Sequence, residues 1–539
     1  MKKLMKKKIT LVFLLAAFMA ATATAQETKL VKGIYYGIGS DDSFRTALKR
    51  VLGDDLYKVD SLVISTGARL PYDWTSALLD CCENGRLTGI DMSQCRYETE
   101  IPSAAFLPTT VNGAPRKSED NGDRNPYRTD LRYVTLPANL EKIGDLAFSS
   151  CDLQAVAIPY WVKEIGTGAF HNCGSLKDVV LYGDKPHDEA MGWQFSGLPA
   201  GAVLHVAPGC GDSYRGKEAW AAFGEVREDD TAFKTMTLEL DGSVALKDIL
   251  GADGMHVDSM KISGVPTADD FETLRHNVIY GRLYSVDFSE TDFGDYRGRC
   301  MESCKMDWLI MPKAVDEIPR SFLTRSSVRH LVMPESYERI RPGAFRQFTG
   351  TLTDSLFVVP EGCRRICTEA FEDCKGIKTM ILPSTLDELE PWALGFNEYS
   401  LYNTPELDLY VNRMFPPAFV SEIDYVYDDY YMEYGPFGEA LGDWYPTATW
   451  RLYVPVGAKQ NYENDEHWSH FKEIIETPML TGWSTGINET QATQTNGAAD
   501  GIYTLDGRTV SKGTTTESLP RGLYIVRENG QTRKVIMGR

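Results

Sequence analysis

From Leu131 to Cys151 the chain reads LRYVTLPANLEKIGDLAFSSC, from Leu153 to Cys173 it reads LQAVAIPYWVKEIGTGAFHNC, and at Leu176 a third copy opens as LKDVVLYGDKP. Pro137, Ile143, Phe148 and Cys151 return 22 residues later as Pro159, Ile165, Phe170 and Cys173. Agreement in phase as well as composition is the signature of a solenoid.

The physics of one unit explains the repetition. Val134 and Leu136 alternate ahead of Pro137, which suits a short strand with one inward face, and proline ends the ladder because it has no N–H to donate. Ile143, Gly144 and Phe148 then fit a compact return segment covering the other side of a narrow core. One coil buries too little apolar surface to offset a backbone entropy of roughly 1–2 kcal/mol per residue, so it has to stack on a neighbour.

The phase recurs in the second half. Pro312, Pro334, Pro360 and Pro383 are followed at six residues by Ile318, Ile340, Ile366 and Leu389, and then by Phe322, Phe345, Phe371 and Leu394, to within one residue. The linking segments vary in length, for example over 349–355, as surface loops tolerate. The expected fold is an α/β solenoid of short parallel strands and return segments.

A strand ending in proline, then I-G, then A-F, two residues and C, resembles the BspA-like leucine-rich repeat family of bacterial surface proteins, known from Bacteroidetes. With its flanking segments the resemblance covers roughly Val59 to Glu476. It implies a leucine-rich repeat solenoid and a secreted or surface-displayed binding protein, often an adhesin, with no catalytic residues or cofactor to carry over.

Residues 1–25 carry five lysines among the first eight, an apolar run from Ile9 to Ala21, and Ala23-Thr24-Ala25 as a small-residue cleavage site, which together read as an export signal peptide. The run is short for a membrane span, and no cysteine follows the cleavage site, which argues against a lipoprotein. Removing five lysines and no acid takes the formal charge from −20 to −25. Such a balance repels nucleic acid and anionic membrane surfaces and favours a basic or cation-bridged partner.

The solenoid is itself duplicated, as 26–230 and 231–478. Lys58-Val-Asp-Ser-Leu62 resembles His256-Val-Asp-Ser-Met260, and each leads through a helical stretch to an LxxxDxS strand, Leu87–Ser93 and Leu283–Ser289. Thr267-Ala-Asp-Asp270 has capping-box spacing. Leu204-His-Val-Ala-Pro, Tyr214, Trp220 and Phe223 recur as Leu452-Tyr-Val-Pro, Tyr462, Trp468 and Phe471, a strand and amphipathic helix expected to cap each last coil. Residues 479–500, rich in Gly, Thr, Asn and Gln, read as a linker. Residues 501–539 read as a small β module with a hairpin turn at Glu528-Asn-Gly-Gln531, and are similar to the C-terminal sorting modules of the type IX export pathway.

Eleven cysteines leave at least one unpaired. Cys151, Cys173 and Cys374 all follow the repeat phenylalanine by three residues, where Phe345 is followed by Phe348, so the position reads as apolar packing and the three as buried thiols. Cys81 with Cys82, Cys300 with Cys304, and Cys363 with Cys367 are candidate bridges, and none has zinc-site spacing. Gly482-Trp-Ser-Thr-Gly486 matches a nucleophile elbow by letter but lies in the linker. Gly211-Asp-Ser-Tyr-Arg-Gly216-Lys217 resembles a phosphate loop, yet Glu218 stands where the magnesium-binding Ser or Thr belongs. His467 with His470, one helical turn apart, and Asp120, Asp123 and Asp130 are weak metal candidates whose simpler reading is a solvated cap and an ordinary loop. No catalytic, cofactor or metal site is assigned, and the chain is expected not to be an enzyme.

Two surfaces are candidates for binding. The first is the outward side of the strands, two and four residues before each proline: Trp308 and Ile310, His330 and Val332, Leu356 and Val358, Thr379 and Ile381. The first half has Tyr133, Thr135, Ala155 and Ala157 there. The strip reads either as a binding surface or as good strand formers packed on another part of the chain. The second is the insertion 423–446, which interleaves Tyr425, Tyr427, Tyr430, Tyr431, Tyr434 and Trp444 with Asp424, Asp428, Asp429 and Glu433. Its rings and carboxylates suit a protein or a sugar, or a loop folded on the solenoid flank. The expectation is an exported protein that binds a macromolecule, most simply a protein at the cell surface. A carbohydrate-binding surface protein and a self-associating envelope scaffold are the alternatives.

Overall fold

The computed structural model describes residues 31–36, 42–108, 128–183, 193–293, 298–313, 315–350, 356–395, 406–421, 435–438, 446–478, 501–503, 509–511, 522–528 and 531–537. The leader 1–25, Asp120 and Asp123, most of the insertion 423–446 and the linker 479–500 with its GxSxG lie outside them. The chain divides into two compact units, Met1–Lys234 with Tyr280–Arg282 and Thr235–Ile279 with Leu283–Arg539.

In the first unit every strand pairing is parallel, and within each sheet the strands follow chain order, as coils must. Val31–Tyr36, Ser61–Thr66, Gly89–Gln94 and Tyr133–Thr135 form one sheet, and Ala155–Ile158, Asp178–Leu181, Val203–Val206 and Glu225–Glu228 form another. The return segments add a ladder of two-residue strands, Glu100–Ile101, Lys142–Ile143 and Glu164–Ile165. The I-G of the repeat has a steric cause, since a Cβ on Gly166 would stand 2.5 Å from the backbone nitrogen of Asp145 in the coil before. Phe106, Phe148, Phe170 and Phe195 stack one per coil, with centroids 5.4, 5.4 and 5.1 Å apart and planes within 11° of parallel. The column ends on Trp220 and Phe223 of the cap.

The second unit repeats the plan. Its outer strands form two five-stranded parallel sheets, Thr235–Leu240, Ser259–Gly264, Ser285–Thr291, Lys305–Ile310 and Ser327–Val332, then Leu356–Val358, Thr379–Leu382, Asp408–Val411, Arg451–Pro455 and Glu473–Thr477. The return ladder Glu317–Ile318, Arg339–Ile340, Arg365–Ile366, Glu388–Leu389 and Ala418–Phe419 is continuous over five coils. One residue of phase is corrected here. Phe148, Phe345 and Phe371 donate their N–H to Ala169, Ala370 and Ala393 of the following coil, and the residue that does so toward Ala344 is Leu323. Phe322 therefore takes the alanine place, and the ring column is broken at that coil.

The duplication extends to details. Asp91 and Asp287, the aspartates of LxxxDxS, accept the N–H of Ser93 and Ser289, and each sits at an extra residue that shifts the pairing with the strand before. The motif is thus a β-bulge held by an Asx turn. Asp73 takes the first N–H groups of helix Phe44–Leu52 at 2.9 and 3.2 Å, and Asp270 takes that of Leu246 at 2.7 Å. Thr267 and Asp270 exchange the two bonds of the expected capping box. The caps depart from expectation. The first has short 3₁₀ turns, Gly211–Ser213 and Glu218–Trp220, and the second only the five-residue helix Lys459–Glu463, each followed by one more parallel strand. Gly435–Gly438, inside the expected insertion, belongs to the coil plan. The carbonyl of Pro436 accepts from Leu394, and Phe437 packs on Trp468 and Phe471 at 4.9 and 5.4 Å as Phe195 packs on Trp220 and Phe223.

The C-terminal residues form an antiparallel sheet of Gly501–Tyr503, Thr509–Ser511, Gly522–Glu528 and Gln531–Met537, with Glu528 opposite Gln531 across the expected hairpin. All eleven cysteines are free, including the three candidate pairs. The repeat cysteine also does more than fill space. The thiols of Cys151, Cys173 and Cys374 donate to the carbonyls of Phe106, Phe148 and Phe345 in the preceding coil, and Ser326 donates to Met301 from the same place.

Candidate functional site

The outward face of the second unit follows from strand alternation. Leu309, Phe357, Met380, Leu409, Leu452 and Ile474 enter the core and Leu331, in register with Leu309, packs against it, so their neighbours on either side point away from it. Pairing in register then aligns those neighbours into rows across the strands. Ile310 lies opposite Val332 in one sheet, and Val358, Ile381, Tyr410, Tyr453 and Ile475 lie side by side in the other. These seven occupy the same phase of seven coils, and every one is apolar or aromatic.

The parallel row, two residues earlier, holds Trp308 and His330, then Leu356, Thr379, Asp408, Arg451 and Glu473. It begins apolar and ends charged. Arg451 grips Asp408 with Nε at 2.6 Å and Nη2 at 2.7 Å, and Arg329 holds the buried Asp307 at 2.8 Å. Apart from Ile381, only 3% exposed, the apolar row is half-buried, so its members reach the surface.

The rings on this face pair with one another. Trp308 and His330 stack at 4.3 Å and 24°, and Tyr410 and Tyr453 at 4.2 Å and 8°. Burial, and then the Tyr453 hydroxyl beside it, raises the Tyr410 phenol above its ordinary value. A ring stacked on its row neighbour offers its edge outward rather than its face.

Of the residues expected to bind, the structure brings together Trp308, Ile310, His330 and Val332 as one block and places Leu356 and Val358 in the next sheet. Tyr425, Tyr427, Asp428, Asp429, Tyr430, Tyr431 and Trp444 lie outside the described residues. Tyr410, Tyr453 and Ile475 belong to the face and were missed. The signal for Tyr453 was present, because Pro455 follows it by two residues, whereas Asn412 hides Tyr410 by standing in the proline place.

The first unit is different. Its matching row, Ala157, Val180, His205 and Arg227, is small, buried or charged. Gly211–Lys217 is no open phosphate cradle, since Arg215 is held by Asp212 and Glu228 at 3.0 and 3.1 Å. His467 and His470 lie in turns rather than on a helix, and His467 packs edge-on against Phe419. Among the described residues no cluster of three or more His, Cys, Asp or Glu is arranged to hold a metal, and no helix is long and apolar enough to cross a membrane.

Comparison with known proteins agrees on the repeat. The family described as "BspA type Leucine rich repeat region" matches in six copies, at residues 125–186, 267–378 and 347–409. With the coil-by-coil parallel pairing, this makes the fold a leucine-rich repeat solenoid. No curated protein matches the chain. Similar solved structures include the pneumococcal vaccine antigen PcpA, 12% identical over 78% of this chain and 79% of that one, with a TM-score of 0.18. A leucine-rich repeat protein from Bacteroides ovatus is 14% identical over 83% and 92%, with a TM-score of 0.18. A leucine rich cell surface protein from Faecalibacterium prausnitzii is 14% identical over 62% and 73%, with a TM-score of 0.12.

Proposed function

We propose that this chain is a binding protein of the bacterial cell surface whose second unit engages a partner protein through the apolar row from Ile310 to Ile475. The observation that carries this reading is the recurrence of an apolar or aromatic residue at that place in seven coils, two in register in one sheet and five in the next, set against the small and charged row of the first unit. A line of half-buried apolar side chains on a solenoid sheet offers a partner desolvation along its whole length. The lysine-rich leader with its apolar run and the sorting-like tail support export and display.

The ring geometry favours protein over glycan at this face. A sugar packs on an open aromatic face, and here Tyr410 and Tyr453 each cover one face of the other, with Ile381 and Ile475 as the register neighbours on their far sides. The aromatic insertion 423–446 remains the candidate for any glycan contact.

The test is adhesion of beads carrying the mature chain to host or neighbouring cells. Val332→Glu with Tyr410→Glu should abolish retention, as should pretreating the cells with protease, while glycosidase treatment should leave it intact. Retention unchanged by the paired substitution would sink the reading. Protease shaving of the producing cells checks display: loss of the region 26–478 while periplasmic controls survive is the expected outcome.

A further inference from the structure

Strand Val203–Val206 sends Leu204 and Val206 into the core of the first unit, so His205 between them faces outward. It is nevertheless 0% exposed. Its Nε2 lies 3.0 Å from Asp178 Oδ1 on one neighbouring strand, and its Nδ1 lies 2.7 Å from Asp229 Oδ2 just beyond the other. A neutral imidazole has a single N–H and satisfies one carboxylate at most. Two such contacts require hydrogen on both nitrogens, which is the imidazolium.

Asp229 is where the chain leaves the sheet. Its N–H still donates to Val206, but its carboxylate then turns the chain by accepting the Thr231 N–H at 3.0 Å, and the carbonyl of Ala232 accepts from Gly183 at 3.0 Å. The exit segment thus doubles back from edge strand Glu225–Glu228 to the end of Asp178–Leu181, and Ala232 is fully buried there. In the second cap the counterpart of His205 is Tyr453, which stacks on Tyr410 instead.

We propose that His205 is a latch of the first unit: as an imidazolium it fastens the exit segment Asp229–Ala232 across the ends of the last three strands. The other charged groups facing it are Arg227 and Glu225, which pair with each other at 2.8 Å and 2.9 Å; Arg227 also feels the charge of Asp178 and Asp229, whose hydrogen bonds go to the imidazolium. Burial alone would push the imidazole down, but the bonds to Asp178 and Asp229 outweigh it and raise it from 6.5 to about 9. Burial likewise opposes ionisation of Asp229, and the bonds from His205 and Thr231 prevail and hold it below the usual carboxylate range. A group raised on folding contributes its full stability below its unfolded value and loses it as the pH climbs through the folded one. The latch is therefore closed at neutral pH and opens as the pH passes about 9.

The test is amide hydrogen exchange on the full chain at pH 7 in the native protein, in His205→Gln and in Asp229→Asn, with the imidazole titrated by NMR. Exchange across residues 229–233 should quicken by about tenfold or more in both variants while strand Ala155–Ile158 keeps its protection. Native protection of the segment, corrected for intrinsic rate, should fall as the imidazole titrates. If His205→Gln loses protection throughout the unit, Asp229→Asn decides, because it leaves the imidazole with Asp178: a loss confined to 229–233 supports the latch. Unchanged exchange in that variant, a global loss there as well, or an imidazole that titrates below pH 7 overturns it.

Discussion

The repeat cysteine shows how little a residue type says before its neighbours are known. Read as an apolar filler, Cys173 is interchangeable with alanine. In the structure its thiol donates to Phe148 of the preceding coil at 3.2 Å, a carbonyl that lies in the dry interior, and Ser326 performs the same act toward Met301 at 2.7 Å. The Phe148 carbonyl also accepts the Cys151 N–H at 3.1 Å, so Cys173→Ala leaves it satisfied and should cost about 0.5–1.5 kcal/mol in urea unfolding, the net worth of one hydrogen bond, whereas Cys173→Ser should cost less. Burial also pushes the Cys173 thiol up to about 12, and Cys95 and Cys363 likewise, so these should resist thiol reagents in the native protein at pH 8 and react on unfolding. Native labelling of the three at the rate of a free thiol would contradict this. The phase of these cysteines could be read in the sequence, but a hydrogen bond between coils could not, because it depends on which carbonyl of the preceding coil the thiol reaches.

The coils of Phe148, Phe170, Phe345 and Phe371 turn on two residues in the left-handed region, two before and two after the phenylalanine. Leu146 (φ 56°), Gly168 (65°), Gly343 (64°) and Glu369 (56°) hold the first place, and Ser150, Asn172, Gln347 and Asp373 the second. The backbone imposes this geometry whatever the side chain. Gly168→Val should destabilise by about 1–2 kcal/mol on φ alone, while Leu146→Gly, which relaxes the same strain at the cost of a looser unfolded chain, should stay within about 1 kcal/mol of neutral. Equal losses in the two variants would show that packing, not φ, governs the turn. The strand, the return segment and their proline stop were legible because each rests on a local rule. The one-residue slip at Leu323 was not, since Phe322 is the larger ring and only the bond to Ala344 reveals which residue keeps the phase. The expected helix of the first cap failed for a related reason. Trp220 and Phe223 have helical spacing, yet what they must do is close a ring column, and short turns suffice.

At the scale of the whole molecule the duplication gives two cores, one running from Ile34 to Phe223 and the other from Leu240 to Ile474. Phe148→Ala removes the second ring of the first column and should cost about 3–5 kcal/mol. In scanning calorimetry it should lower the transition of the first unit and leave that of the second in place; a joint shift of both would show them to be one cooperative body. The two-part plan was readable from the paired openings and caps, and the contrast between the outward faces was only half readable, because it becomes a row only when the register is known. That register has a further consequence. Within each sheet consecutive coils are joined by parallel strand pairing between like positions of the repeat, so a load applied along the stack strains one seam at a time rather than shearing many bonds together. A surface protein held at one end and pulled by its partner at the other would yield coil by coil, each release of 22 residues paying out about 75 Å of chain, and would act as a mechanical fuse that lengthens before the grip on its partner is lost.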